Sequence, residues 1–153
     1  MPNDTNPLGK LMGGKLMQWM DICAAISARR HSNRNEVTVS VDSVEFVSAI
    51  DLGEVVSIEG EVTRAFSTSM EIAIQVWAEN LRTGEKRLCT TSFYSFVAID
   101  ADGKPVPVPP IVAETELEQT RYKQAEQRRE RRLEQSKEIR KMILASGSGE
   151  PEC

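Results

Sequence analysis

Asp21 places a carboxylate inside a largely apolar helical stretch, LMGGKLMQWMDICAAISARRH, at residues 11–31. At 100° per residue, it shares one face of the predicted helix with Gly14, Met17 and Ala25. Burying an unpaired carboxylate among such neighbours is costly, so Asp21 needs a partner or a use. Two interpretations stay open at this point. Asp21 caps a neighbouring backbone or pairs with an arginine in a dimer, or it takes part in catalysis.

The segment before this helix supplies groups that could work with a carboxylate. Gly13 and Gly14 leave backbone N–H groups near a helix start, where the positive end of the helix dipole favours developing negative charge. Asn6 adds an amide donor nearby. A carboxylate base, an amide and a helix N-terminus are together the parts needed to hydrolyse an acyl group.

Other catalytic arrangements have little support. His31 is the single histidine, and no spacing places Cys23 or a serine beside it, so a nucleophilic triad is not expected. A cap at the C-terminal end of the helix explains His31 equally well. Without CxxC or HxxxH spacing, the sequence predicts no metal site.

The composition predicts one domain with a real core, since 40% of the 153 residues are hydrophobic and 27% are charged. The three cysteines, Cys23, Cys89 and Cys153, are far apart and odd in number, which favours reduced thiols in a cytoplasm. We expect a cytoplasmic protein without a membrane partner. No segment has the length of apolar sequence that crosses a bilayer, and the N-terminus lacks the pattern of a secretory signal.

The hydrophobic periodicity predicts one helix followed by an antiparallel sheet. The helix has apolar residues on nearly every side, a pattern typical of a helix buried all round. An irregularity is expected at Asp42-Ser43 in the first strand. An α+β domain in which the sheet curls around the helix accommodates these elements, and its open edge predicts at least a dimer. The predicted strands lie at residues 36–46, 55–66, 71–81 and 86–99.

The chain divides by composition into three parts. Residues 1–112 form the predicted folded domain, residues 113–145 a charged helical extension, and residues 146–153 a disordered tail. Residues 121–141 hold nine Lys or Arg and four Glu. Because the glutamates recur at helical spacing and the rest of the chain is acidic, we expect a solvated helix rather than a nucleic-acid-binding surface.

Several separate stretches resemble one family of enzymes. DTNPLG at 4–9, MGG at 12–14 and QWMD at 18–21 are similar to the signature of hotdog-fold acyl-CoA thioesterases. That group contains the bacterial YciA-type hydrolases and the eukaryotic cytosolic acyl-CoA thioester hydrolases. TSME at 68–71 and AENL at 78–81 agree with the same family, and the resemblance runs in order through most of the chain.

This resemblance implies a hotdog fold, in which a curved antiparallel sheet wraps a central buried helix and two protomers share their active sites. It places the catalytic carboxylate at Asp21 and its partner amide at Asn6 of the other protomer. The oxyanion donors would be the N–H groups of Gly14 and Gly13. Asp21 would either activate water or attack the thioester itself, and the sequence does not choose between these steps.

The resemblance also implies coenzyme A contacts at Thr68, Ser69, Arg30 and His31. The implied enzyme of fatty acid metabolism hydrolyses acyl-CoA to a free fatty acid and CoA. It needs no cofactor, since CoA is part of substrate and product, and it assembles as a homodimer within a homohexamer. Two alternatives remain: a non-catalytic acyl-CoA-binding hotdog module, and a hotdog hydratase or dehydratase. The latter typically pairs Asp with His, and Asp21 has no histidine at a matching place.

Overall fold

The computed structural model describes residues 2–146 of the chain. A short 3₁₀ turn comes first, at Pro2–Asp4. One helix then precedes four strands, and a long helix follows them. These elements are α1 (Gly13–Ser32), β1 (Asn35–Phe46), β2 (Val55–Ala65), β3 (Ser69–Glu79), β4 (Lys86–Ile99) and α2 (Glu116–Ser146). The predicted α+β class, with its charged C-terminal helix, is confirmed.

The strands form one antiparallel sheet in the order β1-β4-β3-β2. The two central strands, β3 and β4, carry most of the buried side chains. Tyr94 and Phe96 are the largest of these, and both are 1% exposed. Because β1 and β2 lie at the two ends of the sheet, each has one edge without a strand partner among residues 2–146.

α1 packs on the sheet through one stripe of side chains rather than all of its circumference. The stripe consists of residues spaced four apart, which lie on one helix face, and they are 0–3% exposed: Leu16, Met20, Ala24 and Ala28. Ile22 and Ile26 are 51% and 47% exposed. The prediction of all-round burial is therefore wrong for the single chain, because the sheet covers only one side of the helix.

α1 approaches the sheet closely at Gly60 of β2. A Cβ atom built there would lie 2.5 Å from Ser27 Oγ and 3.1 Å from Ile74 Cδ1. The single proton of Ser27 Oγ is shared between the carbonyl oxygens of Cys23, at 3.0 Å, and Gly60, at 3.3 Å. Glycine at this position lets the helix and the strand meet at hydrogen-bonding distance.

We expect Gly60→Ala to lower the free energy of unfolding by about 1–3 kcal/mol, because the added methyl group overpacks the contact between α1 and β2. Chemical denaturation of the purified variant measures the change. Adding Ser27→Ala to Gly60→Ala removes the nearest atom and should restore part of the loss. Unchanged stability of Gly60→Ala would show that α1 is not held against β2 as described.

β1 is irregular where the sequence predicts it. Its pairing with β4 shifts register between Asp42 and Glu45, and Ser43 has a φ of 49°. A non-glycine residue with positive φ is uncommon and marks a local departure from the strand. The predicted irregularity at Asp42-Ser43 is thus confirmed, and it separates the first part of β1 from the part that ends at Phe46.

The chain divides into two compact units after Val112. Within the second unit, α2 begins at a capping box: Thr115 Oγ1 accepts from the N–H of Glu118 at 3.2 Å, and Glu118 Oε2 accepts from the N–H of Thr115 at 3.0 Å. The N–H groups of Thr115 and Glu114, which both donate to the carboxylate of Glu118, lower its pKa. The predicted disordered tail at 146–153 lies outside the described residues, apart from Ser146. No helix of residues 2–146 combines the length and the hydropathy needed to cross a membrane.

Candidate active site

The Asn6 loop, residues 2–12, holds the side-chain amide of Asn6 in one orientation. Asn6 Oδ1 accepts hydrogen bonds from the N–H groups of Leu8, at 3.0 Å, and Lys10, at 3.1 Å. Backbone donors therefore identify this atom as the oxygen. Asn6 Nδ2 has no acceptor among residues 2–146. Toward a bound molecule, Asn6 can thus act as a hydrogen-bond donor.

The first turn of α1 carries backbone donors that no side chain caps. Met12 occupies the N-cap position and makes no side-chain cap bond. The N–H of Leu16 is the first to bond back, to the carbonyl oxygen of Met12 at 3.0 Å. Within the described part of the chain, the N–H groups of Gly13 and Gly14 have no acceptor. Free N–H groups at a helix start attract negative charge.

A pocket of about 370 Å³ lies between the Asn6 loop and the start of α1. Asn6 and Gly13 both line it, and apolar side chains supply most of the remaining wall: Leu11, Leu16, Phe46 and Ile50. The Phe46 ring lies close to the helix start, since a Cβ atom on Gly13 would be 3.4 Å from Phe46 Cζ. We call Asn6, Gly13 and Gly14 the donor half-site.

Asp21 has a hydrogen-bond partner on the neighbouring strand. Thr38 Oγ1, on β1, donates to Asp21 Oδ1 at 2.9 Å. Asp21 is half-buried, so solvent reaches it in the single chain. The charge of Asp21 also affects Tyr94 of β4. Burial is the main cause of the raised pKa of the Tyr94 phenol, and the negative charge of Asp21 raises this pKa further. We call Asp21 and Thr38 the carboxylate half-site.

The two half-sites of one chain are too far apart to act on the same carbonyl. Asp21 follows Gly14 by seven positions in the helix, which corresponds to about 10 Å along the axis of α1. A nucleophile and an oxyanion donor must each lie about 3 Å from the reacting group. Catalysis by Asp21 would therefore require oxyanion donors other than Gly13 and Gly14 of its own chain.

The four residues predicted to contact coenzyme A lie near one connected segment. Arg30 and His31 are in the last turn of α1, and His31 Nε2 is 2.7 Å from the carbonyl oxygen of Pro109. Val108, one residue earlier, donates its N–H to the carbonyl oxygen of Ser67 at 3.0 Å. Ser67 directly precedes the predicted pair Thr68 and Ser69. The segment around Pro109 thus links the end of α1 to the start of β3, while the hydrogen bond gives His31 a structural role of its own.

Sequence reasoning missed Thr38. It lies in the alternating stretch EVTVSV, where threonine is an ordinary strand residue. Thr38 reaches Asp21 only because α1 packs against β1. Hydrophobic periodicity does not predict which residues of these two elements meet. Among the described residues, no group of three or more His, Cys, Asp or Glu side chains could hold a metal ion.

Solved structures share this architecture. The chain superposes on a hexameric acyl-CoA thioesterase with a TM-score of 0.85 and 43% identity, covering 89% of this chain and 87% of that one. It superposes on an acyl-CoA hydrolase from Staphylococcus aureus, solved with butyryl coenzyme A, coenzyme A and coenzyme A disulfide, with a TM-score of 0.88 and 34% identity. That alignment covers 97% of this chain and 90% of the other. The predicted hotdog fold is confirmed.

Three alanine variants of the Staphylococcus aureus hydrolase are among the similar solved structures. Structures have been solved with an asparagine, an aspartate or a threonine of that enzyme replaced by alanine. The spacing of those three positions along their chain equals the spacing of Asn6, Asp21 and Thr38 along this one.

Sequence comparison agrees with the structures. A profile of the thioesterase superfamily matches residues 8–85. An acyl-CoA thioester hydrolase of Bacillus subtilis, YkhA, described as uncharacterized, is 44% identical over 150 residues, which are 98% of this chain and 87% of that protein. The chain therefore belongs to the thioesterase superfamily, with the hotdog fold of its acyl-CoA thioester hydrolases.

Proposed function

We propose that the protein hydrolyses acyl-CoA thioesters to a carboxylic acid and CoA at a site composed of two protomers. The observation that carries this proposal is the division of the catalytic groups along α1. The donor half-site has hydrogen-bond donors without acceptors, and the carboxylate half-site lies about 10 Å further along the helix. The donor half-site of one protomer completes the carboxylate half-site of the other.

In this site, each group has a distinct part in the reaction. The N–H groups of Gly13 and Gly14 and the amide of Asn6 hold the thioester oxygen as negative charge develops on it. Asp21 either takes a proton from the attacking water or attacks the carbonyl carbon to form an anhydride that water then opens. Thr38 orients Asp21 through its hydrogen bond. The carbon–sulfur bond breaks, and the CoA thiolate takes up a proton.

The open edge of the sheet supports the proposed dimer. β1 ends the sheet, and its outer edge has no strand partner among residues 2–146, so a second copy can continue the sheet there. Three valines of this strand are 38–55% exposed in the single chain: Val37, Val39 and Val41. Pairing of two β1 strands would cover apolar surface and bring the half-sites of two chains together. We further propose that three dimers form a hexamer, and the hexameric state of the thioesterase relative supports this assembly.

Coenzyme A binding and location complete the proposal. Thr68, Ser69, Arg30 and His31 stay our candidates for contacts to the coenzyme A moiety. The complex of the Staphylococcus aureus hydrolase with coenzyme A supports a CoA ligand. We propose a cytoplasmic enzyme without a further cofactor, and the free thiols of Cys23 and Cys89 fit a reducing compartment.

Release of CoA from a panel of acyl-CoA esters, from acetyl to palmitoyl, tests this function. A thiol-reactive chromogenic reagent measures the product, and the protein without ester corrects for its own cysteines. We expect steady turnover with at least one ester, and the panel then gives the chain-length range. If CoA binds in calorimetry but no ester is hydrolysed, the protein is a non-catalytic acyl-CoA-binding module and the proposal is wrong.

A further inference from the structure

Arg87 of β4 binds the connection between β1 and β2 at three of its residues. This connection, residues 47–54, is the β1–β2 loop. Arg87 Nη1 and Nη2 donate to the two carboxylate oxygens of Glu54 at 2.5 and 2.8 Å. Nη2 also donates to the carbonyl oxygen of Ala49 at 2.7 Å, and Nε donates to Ser48 Oγ at 3.0 Å. A guanidinium has the fixed, forked geometry that such a set of acceptors requires.

The ion pair between Arg87 and Glu54 is shielded from solvent. The side chain of Glu54 is 8% exposed and that of Arg87 is 29% exposed. The hydrogen bond from Arg87 lowers the pKa of Glu54, against the opposing effect of burial, and the N–H of Asp51 contributes with a bond of 2.8 Å. A shielded bidentate pair holds its partners more firmly than an exposed one.

The β1–β2 loop in turn binds the Asn6 loop through backbone hydrogen bonds. The N–H of Leu11 donates to the carbonyl oxygen of Ile50 at 2.9 Å, and the N–H of Leu52 donates to the carbonyl oxygen of Gly9 at 3.1 Å. Ser48, Ala49 and Ile50 also line the pocket that contains Asn6. The loop bound by Arg87 thus forms part of the wall of that pocket and also supports the Asn6 loop.

Lys10 connects the β1–β2 loop to the side chain of Asn6. Its Nζ forms an ion pair with Asp51 of the β1–β2 loop. Its backbone N–H donates to Asn6 Oδ1 at 3.1 Å, and its carbonyl oxygen accepts from the N–H of Asn6 at 2.8 Å. A displacement of the β1–β2 loop therefore changes the direction in which Asn6 Nδ2 points.

We propose that Arg87 is a positioning residue for Asn6, acting through the β1–β2 loop and the backbone of Lys10. Arg87 touches no reacting atom, and the inference rests on the proposed role of Asn6 as an oxyanion donor. Because a small error in the direction of a donor weakens transition-state stabilisation, the effect of Arg87 falls on kcat. CoA binding at Thr68 and Ser69 lies outside this chain of contacts.

The test compares Arg87→Met and Arg87→Lys with Arg82→Met, which removes the same side chain from an exposed turn. We expect Arg87→Met to lower kcat about tenfold, with the Kd of CoA unchanged. Arg87→Lys keeps the charge beside Glu54 but loses the fork, so a smaller loss is expected, and this variant serves if Arg87→Met does not fold. An unchanged kcat in both Arg87 variants would overturn the proposal.

A double-mutant cycle separates positioning from a general structural effect. With Asn6 replaced by alanine, Arg87 has no donor to position, so Arg87→Met should lower the residual kcat less than twofold. A loss in the Asn6→Ala background as large as that in wild type would show a structural role only.

Amide hydrogen exchange tests this inference independently of the proposed function. If wild type hydrolyses no ester, the proposed function fails, and the structural link is read from amide exchange in residues 5–11. We expect faster exchange there in Arg87→Met, and no change in Arg82→Met. Unchanged exchange in Arg87→Met would contradict the link whatever the activity of the wild type.

Discussion

Asp21→Asn is expected to lower kcat for acyl-CoA hydrolysis by about a hundredfold or more. The asparagine amide has nearly the shape of the carboxylate and can still accept the hydrogen bond from Thr38, which is 2.9 Å long in the native chain. It can neither take a proton from water nor attack the thioester carbonyl. The loss therefore reports the chemistry of the carboxylate under both mechanisms, and steady-state thiol release measures it.

A matched control is Asp102→Asn, which makes the same change in the exposed turn after β4. We expect this variant to keep wild-type kcat. Circular dichroism and light scattering should find Asp21→Asn folded and assembled like wild type, because Asp21 is half-buried and outside the buried stripe of α1. A folded, assembled Asp21→Asn with full activity would assign the chemistry to another group.

The elements that position Asp21 could be predicted from local patterns. Alternation of apolar and polar residues gave the four strands to within two residues at each end. The turn residues around Gly84 separate β3 from β4, and the N–H of Gly84 closes that turn on Asn80 at 2.7 Å. Such features depend on neighbours in sequence, so one chain is enough to recognise them.

The burial of α1 and the partner of Asp21 depend on neighbours in space. Apolar residues occur on nearly every side of α1, yet one chain fully buries only the stripe that contains Met20 and Ala24, and it leaves Ile22 and Ile26 about half exposed. The pattern of apolar residues indicates that the helix is buried, but it does not show whether the same chain or a second chain buries it. For the same reason, no local sequence pattern predicts the hydrogen bond between Thr38 and Asp21.

The role of Asn6 could be predicted only in part from the sequence. The turn-rich segment DTNPLG predicts a loop, and asparagine often binds its own backbone in such loops. Here the N–H groups of Leu8 and Lys10 bind the side-chain oxygen, and this leaves the amide N–H groups for a ligand. The residue type could thus be predicted as functional, but the direction of its donor required the structure.

The composite site makes a stronger prediction for mixtures of two inactive chains. Asn6→Ala should lower kcat by about a hundredfold through loss of an oxyanion donor, comparably to Asp21→Asn. If the two variants are unfolded and refolded together, half of the dimers contain one chain of each kind. Each mixed dimer then has one site with both wild-type residues and one site with neither. We expect the mixture to regain about a quarter of wild-type activity.

Controls assign this recovery to shared sites. Each variant refolded alone must stay inactive, and wild type refolded in the same way sets the full value. A chain with both substitutions, refolded with either single variant, cannot form an intact site, because one of the two required residues is mutated in every combination. Recovery in that control, or none in the mixture despite mixed dimers detected by native mass spectrometry, would mean that Asn6 and Asp21 do not meet across the interface. Since α1 separates the half-sites of one chain by about 10 Å, the catalytic unit would then need a different source of oxyanion donors.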